Sequence, residues 1–280
     1  MTGTGTQNDP YIVDNTADFL EAVAQSDVYV QLGSDIDVAA DGYEYIGTVT
    51  VAALSINGNG YAIRNATFQP GSSGICFTAN NANGVLRDIS FLDCSVKPSS
   101  TSATFIYGNQ NNFSGLKFSL QVQPSSEFIL FDRANVSNCA ADIKMNGGIL
   151  YTHVAASSLS NSTFYIRGNY GFSRTIKGNN QLILDVYNVG VVFDGSISSD
   201  SDYLGDYTKF VGCYFAFADS ASISGGGSLN VHLGRYNTSG QNLVFSVGDG
   251  LSISTPPDYP RLTTAQMKSE SYLQSIGWLP

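Results

Sequence analysis

Hydrolysis of a glycosidic bond needs two carboxyl groups about 5 to 9.5 Å apart, one as proton donor and one as nucleophile or base. In this 280-residue sequence the acids nearest to that requirement are Asp93 and Asp142. Counted from the first residue of a unit that recurs about every 23 residues, they fall at +7 and +6, nominally two units apart. Asp132 and Asp200 fall at +19 and +18 but three units apart, about 14 Å if each unit advances one strand spacing, too far to share a reaction. A solvated acid at a bend also accounts for Asp93 and Asp142, so no catalytic residue is assigned and these two stand as the candidates. A lyase would want a basic residue beside metal-ligating acids, yet His153 and His232 stand alone and Lys and Arg are sparse.

Binding chemistry points elsewhere. Asp200, Asp202, Tyr203, Asp206 and Tyr207 lie together, after Asp194, where the repeat lengthens from 23 to 28 residues. That lengthening marks an outward loop, and tyrosines beside carboxylates suit contacts with sugars. Asp200-Ser201-Asp202 lacks the glycine and terminal glutamate of a calcium loop, so no metal site is assigned. The other long interval, between 86 and 113, holds Lys97-Pro98-Ser99-Ser100, read as a second loop without chemistry. Cys76, Cys94, Cys139 and Cys213 show no Cys-x-x-Cys spacing and no placed His. Cys139 and Cys213 share a phase three units apart, about 14 Å, beyond the roughly 7 Å a disulfide allows. They are expected to be small buried apolar residues. Gly225-Gly226-Gly227 lacks the lysine and helix of a phosphate-binding loop, so no cofactor is expected.

The elements that would carry these residues follow from the repeat itself. Its unit is an apolar residue, a turn-prone residue two later and an aromatic five later: Ile63-x-Asn65-x-x-Phe68, Leu86-x-Asp88-x-x-Phe91, Phe113-x-Gly115-x-x-Phe118, Val136-x-Asn138-x-x-Ala141, Leu159-x-Asn161-x-x-Phe164, Leu182-x-Leu184-x-x-Tyr187 and Phe210-x-Gly212-x-x-Phe215. Phe105, Phe128 and Tyr151 repeat at the same 23-residue interval. Short strands at this period, with no helix between them, predict an all-β chain: a single-stranded right-handed parallel β-helix in which each rung stacks on the last. Apolar members then form a continuous core, and Asn, Asp and Gly occupy the bends, where a left-handed backbone costs them least.

Open solenoid ends need covers. Asn15 followed by an amphipathic Thr16–Val23 segment predicts a capping helix, and Thr263-Thr264-Ala265-Gln266 leading into Met267, Leu273 and Ile276 predicts a small C-terminal helical or docking segment. The expected organisation is therefore 1–26 strand and cap, 27–255 β-helix, 256–280 Pro-rich linker and terminal cap.

Composition bounds the partners. Thirteen basic against 23 acidic residues leave a net charge of −10, which repels a phosphate backbone, so nucleic acid is discounted. No apolar run reaches the roughly 20 residues that span a bilayer. Met1-Thr2-Gly3-Thr4-Gly5-Thr6 carries neither basic start nor apolar core, giving the expectation of a chain made in the cytoplasm without a secretory leader. The five Asn-x-Ser/Thr sites then reflect composition rather than glycosylation.

Asp35-Ile36-Asp37, Tyr45-Ile46-Gly47 and Ile56-Asn57-Gly58-Asn59-Gly60-Tyr61-Ala62-Ile63, with the leading Gly3–Val13 segment, resemble the opening rungs of pectate-lyase-like right-handed β-helix proteins of bacteriophage virions and bacterial surfaces. The resemblance covers roughly residues 3–68, and it implies fold more strongly than activity, because lyases, hydrolases, tailspikes, fibres and adhesins share this scaffold. The resulting expectation is a non-enzymatic structural or surface-recognition component of a phage particle, a fibre, spike or capsid-associated protein. Such a component is expected to form a homotrimer with other virion proteins as neighbours and host surface polysaccharide as ligand. A polysaccharide depolymerase on the same fold and a bacterial surface adhesin are the alternatives.

Overall fold

The computed structural model describes residues 1–53, 55–79, 84–98, 101–108, 111–123, 127–154 and 158–171, and beyond these 176–177, 184–193, 196–198, 205–206, 208–211, 213–217, 222–223, 229–230, 238–239, 244–247, 253–254, 261–263, 266 and 271. The described chain is a β-solenoid, with one helix at its N-terminal end and strands joined by parallel pairing throughout. None of its helices is long and apolar enough to cross a membrane.

The helix spans Thr16–Val23 and buries Phe19, Ala22 and Val23 against the first rungs. Its start is set by Asn15, whose side chain accepts the Asp18 backbone N–H at 2.9 Å and satisfies one of the donors that a helix N-terminus leaves unpaired. The acids of the opening segment tie successive rungs together. Asp35 accepts the Ala62 N–H and the Arg64 guanidinium, each at 2.8 Å, and these two bonds, the backbone one first, hold its carboxyl below the usual range. Asp37 accepts the Asn65 amide at 2.9 Å.

One row runs Val30–Ile56–Leu86–Phe113–Val136–Leu159–Val186–Phe210 in unbroken parallel register, and its members from Val30 to Leu159 are buried in the core. A second runs Ile36–Ile63–Phe91–Phe118–Ala141–Phe164–Val191–Phe215. Between them the turn residues Asp88, Gly115, Asn138 and Asn161 all have positive φ, from 48° to 65°. That is the left-handed conformation that Gly, Asn and Asp accept most readily, which is why the third residue of each unit is drawn from this set.

One described member of the expected row sits elsewhere. Leu86 pairs with Ile56, and Ile63 instead opposes Phe91. The apolar–turn–aromatic pattern occurs at two corners of the early rungs, because Asn65 and Asp93 form a second left-handed bend. The strand Lys117–Val122 lacks that extra residue, and the register shifts between Phe91 and Cys94 to absorb it. Leu182 lies outside the described residues, and Val186 holds its place after Leu159. Likewise Phe128 opposes Ala103 and Leu150, so Phe105, Phe128 and Tyr151 do not share a row. Both departures arise because bends and loops, rather than a fixed count, decide which residues stack.

The core is aromatic at its centre. Phe105 meets Phe68, Phe91 and Phe118 edge-on, with centroids 5.1, 5.3 and 5.7 Å away, while Phe91 stacks on Phe118 at 5.5 Å. All four cysteines are buried and none forms a disulfide. Burial pushes the Cys94 thiol up to about 12 and the Cys139 thiol up to about 11, so neither supplies a thiolate near neutral pH. At the far end, strand Arg261–Thr263 pairs with Val244–Val247, so the ladder extends past 255 into the expected terminal segment. Of the expected docking helix, Gln266 and Ser271 are described, both helical.

Candidate functional site

Strands Lys117–Val122, Ala140–Val154 and Ser158–Gly171 lie side by side in the solenoid wall. Alternation sends Phe118, Leu120 and Val122 of the first inward, with Ala141, Ile143 and Met145 of the second and Phe164 and Ile166 of the third. The outward residues therefore form a grid. Its register rows are Lys117–Ala140–Thr163, Ser119–Asp142–Tyr165 and Gln121–Lys144–Arg167, followed by Asn146–Asn169 with Gln123 one residue beyond Val122.

At the centre Arg167 grips Asp142 with two hydrogen bonds, Nε to Oδ1 at 2.8 Å and Nη2 to Oδ2 at 3.0 Å. Both side chains remain about two-fifths exposed, 44% and 41%, so the pair fixes geometry more than it adds stability, worth about 0.2–1 kcal/mol. Shallow depressions flank it. One, of about 320 Å³, lies over Ala140 and Ala141 and is walled by Lys117, Asp142, Thr163 and Tyr165. The other, of about 400 Å³, is walled by Gln121, Gln123, Lys144, Asn146 and Asn169. Each is at the lower end of the volumes that hold a small ligand. Tyr165 presents one edge of the first depression and is 37% exposed.

The structure does not assemble Asp93 and Asp142 into an acid–base pair. Asp142 directs its carboxylate to Arg167 on the strand Ser158–Gly171, while Asp93 lies in the other direction, beyond Lys117–Val122. Asp93 moreover is the exposed residue of the left-handed bend, outside the strand alternation that a shared row requires. Their similar phase came from counting through that bend.

Asp132 stands in another row, Tyr107–Asp132–Val154–Lys177–Asp206. Three strand spacings separate it from Asp206, about 14 Å, so these two do not cooperate either. Burial, the largest influence on Asp132, raises its carboxyl above the usual range, with the Arg133 guanidinium opposing. Arg133, held at φ 54°, stacks 5.4 Å over the Tyr107 ring and donates to its hydroxyl at 2.8 Å. Because the folded-state value is raised, ionised Asp132 destabilises the fold above that value and costs nothing below the unfolded value of about 3.9. Asp132→Asn is expected to raise the melting temperature at pH 7, with the gain disappearing by pH 3; a thermal scan at both pH values checks this, and equal gains at both would contradict it.

Of the loop residues singled out by their chemistry, Asp200, Asp202, Tyr203 and Tyr207 lie outside the described residues. The backbone of Asp206 is placed in the strand Gly205–Asp206, paired with Ile176–Lys177. The grid was missed in sequence because its members are ordinary polar residues at alternate positions of three strands, visible together only once the register is known. Alternation in Lys117–Val122 was the available signal.

No family model matches the chain, and no curated protein matches it. Among solved structures, it is similar to a Bacteroides ovatus protein described as a "putative immunoglobulin A1 protease", with TM-score 0.51 over 85% of this chain and 86% of that one, at 16% identity. A likeness at that identity establishes the shared β-solenoid architecture and says nothing of activity.

Proposed function

We propose that the protein is a non-enzymatic recognition component of a bacteriophage particle, a fibre, spike or capsid-associated solenoid, which engages host surface polysaccharide through the polar grid. The observation that carries the non-enzymatic part is Asp142, which is committed to Arg167 and turned away from Asp93. A rigid wall of outward amides, hydroxyls and one exposed tyrosine suits recognition of an extended polar ligand. The particle setting, the homotrimer and the virion neighbours rest on the resemblance of residues 3–68 to β-helix proteins of virions.

Incubation with a panel of capsular and cell-wall polysaccharides, followed by assays for new reducing ends and unsaturated products, separates this reading from a depolymerase. The expected result is retention of polysaccharide without turnover. Turnover that Asp142→Asn abolishes would overturn it. Immunogold labelling separates particle from cell surface: label on the bacterial envelope in cells without phage particles would favour the adhesin.

A further inference from the structure

We infer that Asn146–Gly147 is a self-modification site, at which the folded chain converts an exposed asparagine into isoaspartate and aspartate without enzyme or cofactor. This goes beyond the recognition reading and does not depend on it. The Gly147 backbone nitrogen attacks Asn146 Cγ: a C–N bond forms, the Cγ–Nδ2 bond breaks, and ammonia leaves with the proton that the backbone nitrogen gives up. Water then opens the resulting succinimide. Opening at the main-chain carbonyl carbon leaves isoaspartate, with the chain running through Cβ, and opening at Cγ leaves aspartate. Side-chain amides are thermolabile groups, and a nucleophile held beside its target makes the step unimolecular.

The chain has four Asn-Gly pairs, at Asn57, Asn59, Asn83 and Asn146. Attack needs a glycine nitrogen that can shed its proton and swing toward the side chain. At the first two pairs the solenoid opposes this. The Gly58 N–H donates to the Arg87 carbonyl at 2.8 Å and the Gly60 N–H to the Asp88 carbonyl at 3.0 Å. Asn57 Oδ1 is itself held by the Asn59 N–H at 3.0 Å, and Gly58 packs directly on the Asp88 backbone. Asn83 lies outside the described residues. Asn146 stands where the ladder breaks. Its strand pairs with Lys117–Val122 as far as Met145 and with Glu127–Asp132 from Ile149 onward, and the register against Ser158–Gly171 shifts between Asn146 and Ile149. Gly147 and Gly148 therefore have no register partner among the described residues, and both have positive φ, 100° and 81°. Apart from its chain neighbours, nothing lies within 4 Å of where a Gly147 Cβ would stand, so there is room for the ring to close. The Asn146 side chain is exposed, makes no hydrogen bond among the described residues and borders the open depression of about 400 Å³, where water reaches it. Lys144 and Asn146 share the outward face of one strand, so the product sets a new carboxylate beside that lysine. The extra backbone methylene of isoaspartate falls at an existing irregularity, where the flanking pairs can persist.

Incubation of the full chain at about 37 °C and about pH 8.5, with peptide mapping by fragmentation that separates isoaspartate from aspartate, tests the inference. Asn146 is expected to convert about tenfold faster than Asn57 and Asn59, whose hydrogen-bonded glycine amides react only through local opening. An acidic form should accumulate on anion exchange, more slowly at about pH 7 because the attacking nitrogen must lose its proton, and Asn146→Gln should remove most of it. Circular dichroism during the incubation checks that the folded chain is being read. In urea the three rates should converge. An Asn146 that stays intact in the folded chain overturns the inference, as do equal rates at the three sites. A preference for Asn146 that survives unchanged in urea would place its cause in the local sequence and overturn the role assigned to the broken ladder.

Discussion

Phe105→Ala is expected to lower the unfolding free energy by about 3–5 kcal/mol, the range for removing a buried phenylalanine from a packed core. Phe105 is fully buried and meets three rings edge-on, so alanine removes those contacts and leaves a void walled by rings that are themselves held in rows. In a solenoid each rung leans only on its neighbours, so the gap is not closed by movement elsewhere. A urea denaturation midpoint compared with that of Tyr45→Ala measures the effect. Tyr45 is 55% exposed, and its loss should stay within about 0.5 kcal/mol. A Phe105→Ala cost below about 1 kcal/mol would contradict the packing described.

Gly168→Ala is expected to be the most disruptive single methyl group at the recognition face. Gly168 has φ +104°, a conformation that residues with a side chain rarely adopt, and a Cβ there would run into the backbone carbonyl of Met145. Backbone strain of about 1–3 kcal/mol and overpacking of about 1–3 kcal/mol act together, because Met145 and Gly168 are paired in the ladder and neither strand can move alone. The measurements are the melting temperature and hydrogen exchange of the Met145–Gly168 pairing. A variant with wild-type stability and protection would show that the two strands do not approach as described. Since Gly168 also borders the second depression, the same substitution should weaken ligand binding there even if the protein remains folded.

The repeat was legible in sequence because burial and backbone conformation both act locally. A left-handed bend costs least at Gly, Asn or Asp, and Asp88, Gly115, Asn138 and Asn161 announced the corners without knowledge of what they joined. The parallel β-solenoid followed from that pattern, the Asn15-capped helix from its capping residue, and the burial of four cysteines outside any disulfide from their spacing. Three-dimensional register did not. The bend at Asn65 and Asp93 carries the same apolar–turn–apolar signature as the main corner, so counting residues could not say which corner a motif occupied. That ambiguity displaced Ile63 and gave Asp93 and Asp142 a shared phase they do not have.

What the amino-acid sequence determined by itself was therefore the kind of rung and the identity of its bends, since these depend on the preferences of single residues and their immediate neighbours. Only the tertiary structure decided which outward side chains stand together. Lys117, Asp142, Lys144, Tyr165 and Arg167 come from three strands, and their meeting depends on how many residues each preceding bend consumes. A strand that slips by one residue turns a surface row into a core row, because side chains alternate with a two-residue period, unless a bulge such as that between Phe91 and Cys94 absorbs the extra residue.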